Sequence, residues 1–435
     1  MRLAGAKKQT FFLTGINAIV RAMGLTMRVW ISRTLGPEAM GIMELAQSVH
    51  MIAIAPLTSG LPVAVSRLTA KADPANKHQA LSSGLFLSRR ISLVLIPLLW
   101  FLSPFISKLT GDVRVMPSLW FTAPCILILG YSAAYNGFCY GTERSELPAM
   151  SELLEQLMRF GLSVLLIRLL NNLTLSWIAA IPAAATLLAE FIGLIFIVCK
   201  FREFNIQPPA LSWTRSVLRL SIPITLTRLM QTVIRSVTAI LIPLRLQFSG
   251  LTSSEATAQL GMLNGMVNPI LMLPGIFTSA LSMVMVPRIA KAEEKPSELG
   301  RLLRICLYGT IPLSALMAAC IRMLAPVLAN VIYRQAELTV LFQQTAFQIL
   351  LFPISHLVLS TLSALGQQRR SLYVSVITAC STLFLTWLLA GNPAFRIKGI
   401  IFAQYANHLL SILLGCFMLL RWKREHSFSH GDKYV

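Results

Sequence analysis

Two matched pairs of arginines carry the most specific chemistry in this sequence. Arg21-Ala-Met-Gly-Leu-Thr-Met-Arg28 and Arg228-Leu-Met-Gln-Thr-Val-Ile-Arg235 share a seven-residue spacing and a methionine two places after the first arginine, and both lie in hydrophobic stretches. Seven residues are nearly two helical turns, which puts each pair on one helix face, roughly 10 Å apart along the axis. A guanidinium at bilayer depth is costly unless it faces a wet cavity or a counter-charge, so two such pairs imply a site for an anion. Arginine offers planar, permanently charged, bidentate donors to phosphate oxygens, and a diphosphate suits four of them. The plainer alternative is that Arg28 and Arg235 snorkel to an interface, which accounts less well for Arg21 and Arg228, roughly mid-span.

Carboxylates in apolar stretches are confined to the first half: Glu44, Glu152, Glu155 and Glu190. Glu155 and Arg159 stand at i and i+4 and are expected to neutralise each other. Glu44 has no obvious local partner. It is a candidate cavity or proton-coupling residue, as are its repeat counterpart Asn264 and Glu190, with helix packing or cavity hydration as the alternative.

The elements that must position these residues are membrane helices. The chain has 435 residues, 55% hydrophobic and 13% charged, against about 25% charged in soluble domains, and its mean hydropathy is +0.68. Apolar windows of span length can be placed about twelve times, from 10–32 to 399–421, which predicts an all-α polytopic membrane protein. The first window carries Arg21 and Arg28 and runs on to span length, so no cleavable signal is expected. The net charge of +21 is dispersed among connecting loops, which argues against nucleic acid as a partner. Lys and Arg are richest in the termini and even-numbered loops, notably Lys200 to Arg219 and Arg288 to Arg304, and this asymmetry predicts cytoplasmic termini. The seven cysteines lie in or beside spans without metal-like spacing, so no metal site is expected. His50, His356 and His408 are isolated in spans and read as packing positions. A Ser/His/Asp grouping, HExxH and a glycine-rich phosphate loop are all missing, so neither an enzyme, a cofactor nor bound ATP is expected.

The arginine pairs belong to an internal repeat. Gly41 to Ala72 aligns without a gap on Gly261 to Ala292; Arg89 and Ile96-Pro97-Leu98 match Arg304 and Ile311-Pro312-Leu313; Gly141 with Arg144 matches Gly366 with Arg369. Two six-helix lobes follow, 1–205 and 206–435, joined near Pro208-Pro209 and related by a pseudo-two-fold axis along the membrane normal. Such an axis would bring Arg21 and Arg28 opposite Arg228 and Arg235 across a central cleft.

Leu35-Gly36-Pro37-Glu38-Ala39-Met40-Gly41-Ile42, Ser59-Gly60-Leu61-Pro62 onward to Arg67, and Ser151 to Arg159 resemble signatures of the stage V sporulation protein B group of oligosaccharide flippases. So do Asn268-Pro269, Leu273-Pro274 and Val286-Pro287-Arg288. The group is related to lipid II flippases and to the multidrug (MATE) exporters of the MOP superfamily. The resemblance implies a V-shaped bundle of two lobes in the bacterial plasma membrane. Its substrate would be an undecaprenyl-diphosphate-linked oligosaccharide or peptidoglycan precursor, moved from the inner to the outer leaflet by alternating access, with cell-wall synthesis enzymes as partners. Arg21, Arg28, Arg228 and Arg235 occupy the kind of positions where lipid II flippases place cavity arginines. The alternative is a cation-coupled multidrug exporter of the same fold, for which Glu44 and Glu190 would supply the cavity charge. A third reading is a scaffold for wall synthesis that transports nothing.

Overall fold

The computed structural model describes residues 2–201, 208–273, 275, 285, 288–289 and 296–431. All regular structure among them is helical. The expected lobe boundary at 205/206 and the repeat segments 278–281 and 290–292 lie outside the described residues.

The chain forms two compact units, Met1–Pro243 with Ser253–Gly261, and Leu244–Thr252 with Met262–Val435. The first unit begins with α1 (Arg2–Thr58), which holds two spans because Gly36, at φ 84° and ψ 179°, breaks it. Only glycine tolerates that conformation readily, and Pro37 behind it suits the first turn of the second limb. There follow α2 (Leu61–Lys71), α3 (Lys77–Leu109), α4 (Met116–Gly141), α5 (Glu146–Leu169), α6 (Leu175–Lys200), α7 (Leu211–Phe248, as far as Pro243) and α8 (Ser253–Leu260).

The second unit continues through a π-helix over Gly261–Val267, α9 (Asn268–Leu271), α10 (Pro296–Val327) and a second π-helix over Leu328–Tyr333. It ends with α11 (Leu338–Thr345), α12 (Gln348–Ala364), α13 (Gln368–Ala390) and α14 (Ile397–Gly431). Tyr333 donates to the Met266 carbonyl at 2.9 Å and Ile289, Leu365 and Trp422 pack together. Arg245 donates to the Trp387 carbonyl at 2.8 Å with its guanidinium over the indole, which accommodates a cation without a carboxylate. Matched repeat features occupy matched places: Pro97 lies within α3 and Pro312 within α10.

Among the described residues eight helices are long and apolar enough to cross a membrane, and α11 with α12, bent by 42°, makes a ninth. Twelve spans are reached because α1 holds two, α5 carries charges that lower its hydropathy, and part of the eighth span lies outside the described residues. The packing is that of a membrane bundle. On α3, Ser83, Ser88, Ser92, Ser103 and Ser107 are fully buried while Phe101 is 85% exposed. Small residues let helices approach closely, and large apolar ones are left for lipid.

The closest approach in the first unit joins two repeat partners. A Cβ on Gly41 would meet the Thr257 carbonyl oxygen at 1.9 Å, and one on Gly261 would meet the Gly41 nitrogen at 2.5 Å. The second limb of α1 and the end of α8 therefore cross backbone to backbone. Gly41→Val is expected to prevent this crossing, and the variant should show a collapsed yield of monodisperse protein in detergent size-exclusion chromatography.

Candidate functional site

Four of the charged residues in the spans of the first unit form two ion pairs. Arg28 Nη1 donates to Glu44 Oε1 at 2.5 Å, across the fold of α1, and Arg159 Nη2 on α5 donates to Glu190 Oε1 on α6 at 2.6 Å. Glu44, which has no local partner in the sequence, is paired with an arginine sixteen residues back on the other limb. The expected Glu155–Arg159 neutralisation is corrected, since Arg159 reaches Glu190 and leaves Glu155 with the Ser151 hydroxyl at 2.7 Å.

Two cavities flank these pairs. One, of about 250 Å³, is lined by Arg28, Glu44, His50 and Ser118; the other, of about 420 Å³, by Ser132, Asn136, Glu152, Glu155 and Glu190. Gln156 and Arg159 line both. Arg28 is partly solvated, its side chain 38% exposed against 17% for Glu44. Glu155 has its place because position 193 is glycine: a Cβ there would stand 2.0 Å from Glu155 Oε1. Gly193→Val is expected to displace that carboxylate and destabilise the unit by about 1–3 kcal/mol, as overpacking does. A fall in the thermal midpoint of the purified variant would check this.

Arg21, Arg228 and Arg235 are exposed on α1 and α7, and among the described residues they form no ion pair. Of the sequence-derived candidates the structure joins Arg28 with Glu44, and it places Glu190 at the second pair. Asn264 lies in the second unit, within the π-helix, accepting from Asn268 Nδ2 at 2.9 Å. His50 lines the first cavity with its Nδ1 unpartnered, whereas His408 packs against Phe352 and lies 3.4 Å from Ser355 Oγ.

A further network, not foreseen from the sequence, ties together the turns at one end of this unit. Arg114, in the short turn before α4, donates to Asp112 Oδ2 at 2.7 Å and to Glu38, and Glu38 also accepts from Ser254 at the start of α8. Asp112 accepts from Thr257 at 2.9 Å, and the Ser176 hydroxyl donates to the Arg114 carbonyl at 2.8 Å. Glu38 stands in the turn between the first two spans. Burial alone would raise its carboxyl, but Ser254 and Arg114 outweigh burial and hold it below the usual carboxylate range. A depressed carboxylate stabilises the fold above its unfolded pKa, about 4.3, and that contribution is lost as pH falls through the folded value. The thermal midpoint of the wild type should therefore fall in acid more steeply than that of Glu38→Gln, measured side by side.

A family model described as "Polysaccharide biosynthesis protein" matches residues 6–293. The stage V sporulation protein B of Bacillus subtilis (strain 168) is 26% identical over 429 residues, covering 94% of this chain and 82% of that protein. Among solved structures, the lipid II flippase MurJ superposes with a TM-score of 0.76 at 14% identity, over 96% of this chain and 90% of that chain. A multidrug-resistance MATE family transporter of the MOP superfamily gives 0.75 at 17% identity, over 94% and 99%. At these identities the structural matches establish the fold: twelve helices in two pseudo-symmetric six-helix lobes.

Proposed function

The chain belongs to the polysaccharide biosynthesis protein family, and from that premise we propose that it moves a lipid-linked diphosphate sugar across the bilayer by alternating access. It is a multi-pass membrane transporter and not an enzyme. The proposed substrate is an undecaprenyl-diphosphate-linked oligosaccharide or peptidoglycan precursor, passed from the inner to the outer leaflet of a bacterial plasma membrane with both termini cytoplasmic. The two lobes, 1–205 and 206–435, would alternate in opening to each side. The observation that carries this reading is the arginine set. Arg21, Arg228 and Arg235 are exposed on spans with no counter-charge among the described residues, and the Arg28 side chain is part-exposed and lines the cavity it shares with Glu44. Guanidiniums left uncompensated at bilayer depth call for an anion, and diphosphate oxygens match their paired donors. Support for this substrate class comes from the matches to a sporulation protein and to a lipid II flippase. Glu44, Glu190 and Asn264 are proposed as cavity or coupling residues beside the anion site.

The test is reconstitution of the purified protein in vesicles with a fluorescent undecaprenyl-diphosphate sugar on one leaflet. Its appearance on the other leaflet, resistant to competition by a lipophilic cation, is the expected result. Accumulation of the cation without movement of the lipid would assign the chain to drug export, the reading that the half-buried Glu44 and the buried Glu190 favour. Neither activity would leave the scaffold reading.

A further inference from the structure

In the larger cavity of the first unit two inward carboxylates share one guanidinium. Glu155 and Glu190 both line it, and the single cation there, Arg159, is bonded to Glu190. Glu155 keeps only the Ser151 hydroxyl, 2.7 Å away, against the glycine surface of α6. Two further residues that line the same space carry buried oxygens with no hydrogen-bond partner among the described residues: the hydroxyl of Ser132, a residue only 5% exposed, and Asn136 Oδ1. A buried hydroxyl and amide oxygen left open beside a carboxylate that has no cation describe a polar cavity with room for water, not a packed core.

The charges facing Glu155 are few enough to name. On its own helix stand Glu152, which is exposed, and Arg159; α6 brings Glu190 and α4 brings Tyr140; α1 brings no charge to this cavity, and its Arg28 and Glu44 are paired with each other in the next one, beside His50. Of the cations named, Arg159 is committed to Glu190 and Arg28 to Glu44. Two carboxylates around one guanidinium leave one of them without a counter-charge, and a proton is the simplest species to neutralise it.

We propose that Glu155 is a proton-binding site, and that Arg159 and Gln156, which line both cavities, form the septum of a polar path through the first unit. Protonation balances simply: Glu155 takes one proton from water on one side of the septum as a neutral acid and returns it as a carboxylate. When the acid ionises, Arg159 has two carboxylates to serve, and its exchange between Glu190 and Glu155 would carry the change to the smaller cavity. That the proton drives lipid movement rests on the proposed function; that Glu155 binds it does not.

The deciding experiment is infrared difference spectroscopy of the purified protein as pH is stepped from mildly acidic to mildly alkaline, reading the carbonyl stretch of protonated buried carboxyls. The wild type is expected to show a band that disappears on the alkaline side, that Glu155→Gln lacks, that Glu190→Gln moves to lower pH because Arg159 is then free for Glu155, and that Glu155→Asp shifts without abolishing. A band untouched by Glu155→Gln, or lost only in Glu190→Gln, would overturn the assignment, and so would its removal by sodium at constant pH. Failure of lipid movement in vesicles alongside an intact Glu155 band would sink the flippase reading and leave the proton site standing.

Discussion

Arg21→Ala combined with Arg228→Ala is expected to abolish transport of the diphosphate lipid while leaving the amount of protein in the membrane unchanged. In the proposed site each arginine would make charge-assisted hydrogen bonds to the anion, and such bonds contribute about 1.5–3 kcal/mol each. Losing one from each repeat removes about 3–6 kcal/mol, a weakening of binding of roughly 10²- to 10⁴-fold. Stability should not suffer, because both side chains are exposed and neither forms an ion pair among the described residues. Binding of the purified lipid to wild type and double variant measures the effect directly, and equal affinities would remove the arginines from the site. Arg21→Lys with Arg228→Lys separates charge from geometry. An ammonium keeps the charge but loses the bidentate fork, so partial binding is expected.

The parts of this molecule that follow from local rules were legible in the sequence. Hydropathy placed the spans, the repeat gave the two-lobed fold, and the Gly36-Pro37 break between the first two spans is where the chain bends. The polar interior was legible only in part. Residue type singled out Glu44, Glu190 and the arginines, because a charge in an apolar window is conspicuous wherever it points. Partnership was not readable. The helical i, i+4 rule joined Glu155 to Arg159, yet in the folded chain Arg159 meets Glu190 from the next helix, 31 residues on. Side chains on neighbouring helices compete for the same guanidinium, and helix rotation, set by packing of small residues such as Gly193, decides the winner. The network of Glu38, Arg114, Asp112 and Ser254 was hidden for the same reason: its members come from three turns far apart in the sequence, and each alone looks like an ordinary loop residue.

Glu44→Gln decides what Arg28 does. In the resting protein Glu44 holds the guanidinium with an ion pair at 2.5 Å, but the arginine side chain is more than a third exposed, so water already solvates part of its charge. Glutamine keeps an oxygen acceptor at the same place and removes the negative charge. Breaking a fully buried pair costs about 3–5 kcal/mol; with this solvation and a retained acceptor, the loss should be nearer 1–2 kcal/mol, the scale of an imperfectly replaced hydrogen bond. If Arg28 is a ligand, Glu44 competes with the diphosphate for it. Glu44→Gln should then tighten lipid binding by up to about tenfold, equivalent to 1.4 kcal/mol, and Arg28→Ala should weaken it. The double variant would show non-additivity, because the two residues act on one interaction. If Arg28 merely neutralises Glu44, both single variants should lower the thermal midpoint and leave lipid affinity unchanged. Drug export makes the opposite demand: there Glu44 itself faces the cationic substrate, and Glu44→Gln should lose binding of a lipophilic cation that Arg28→Ala retains. The sign of the change in lipid affinity on Glu44→Gln therefore separates an anion site built around Arg28 from a cation site built around its partner.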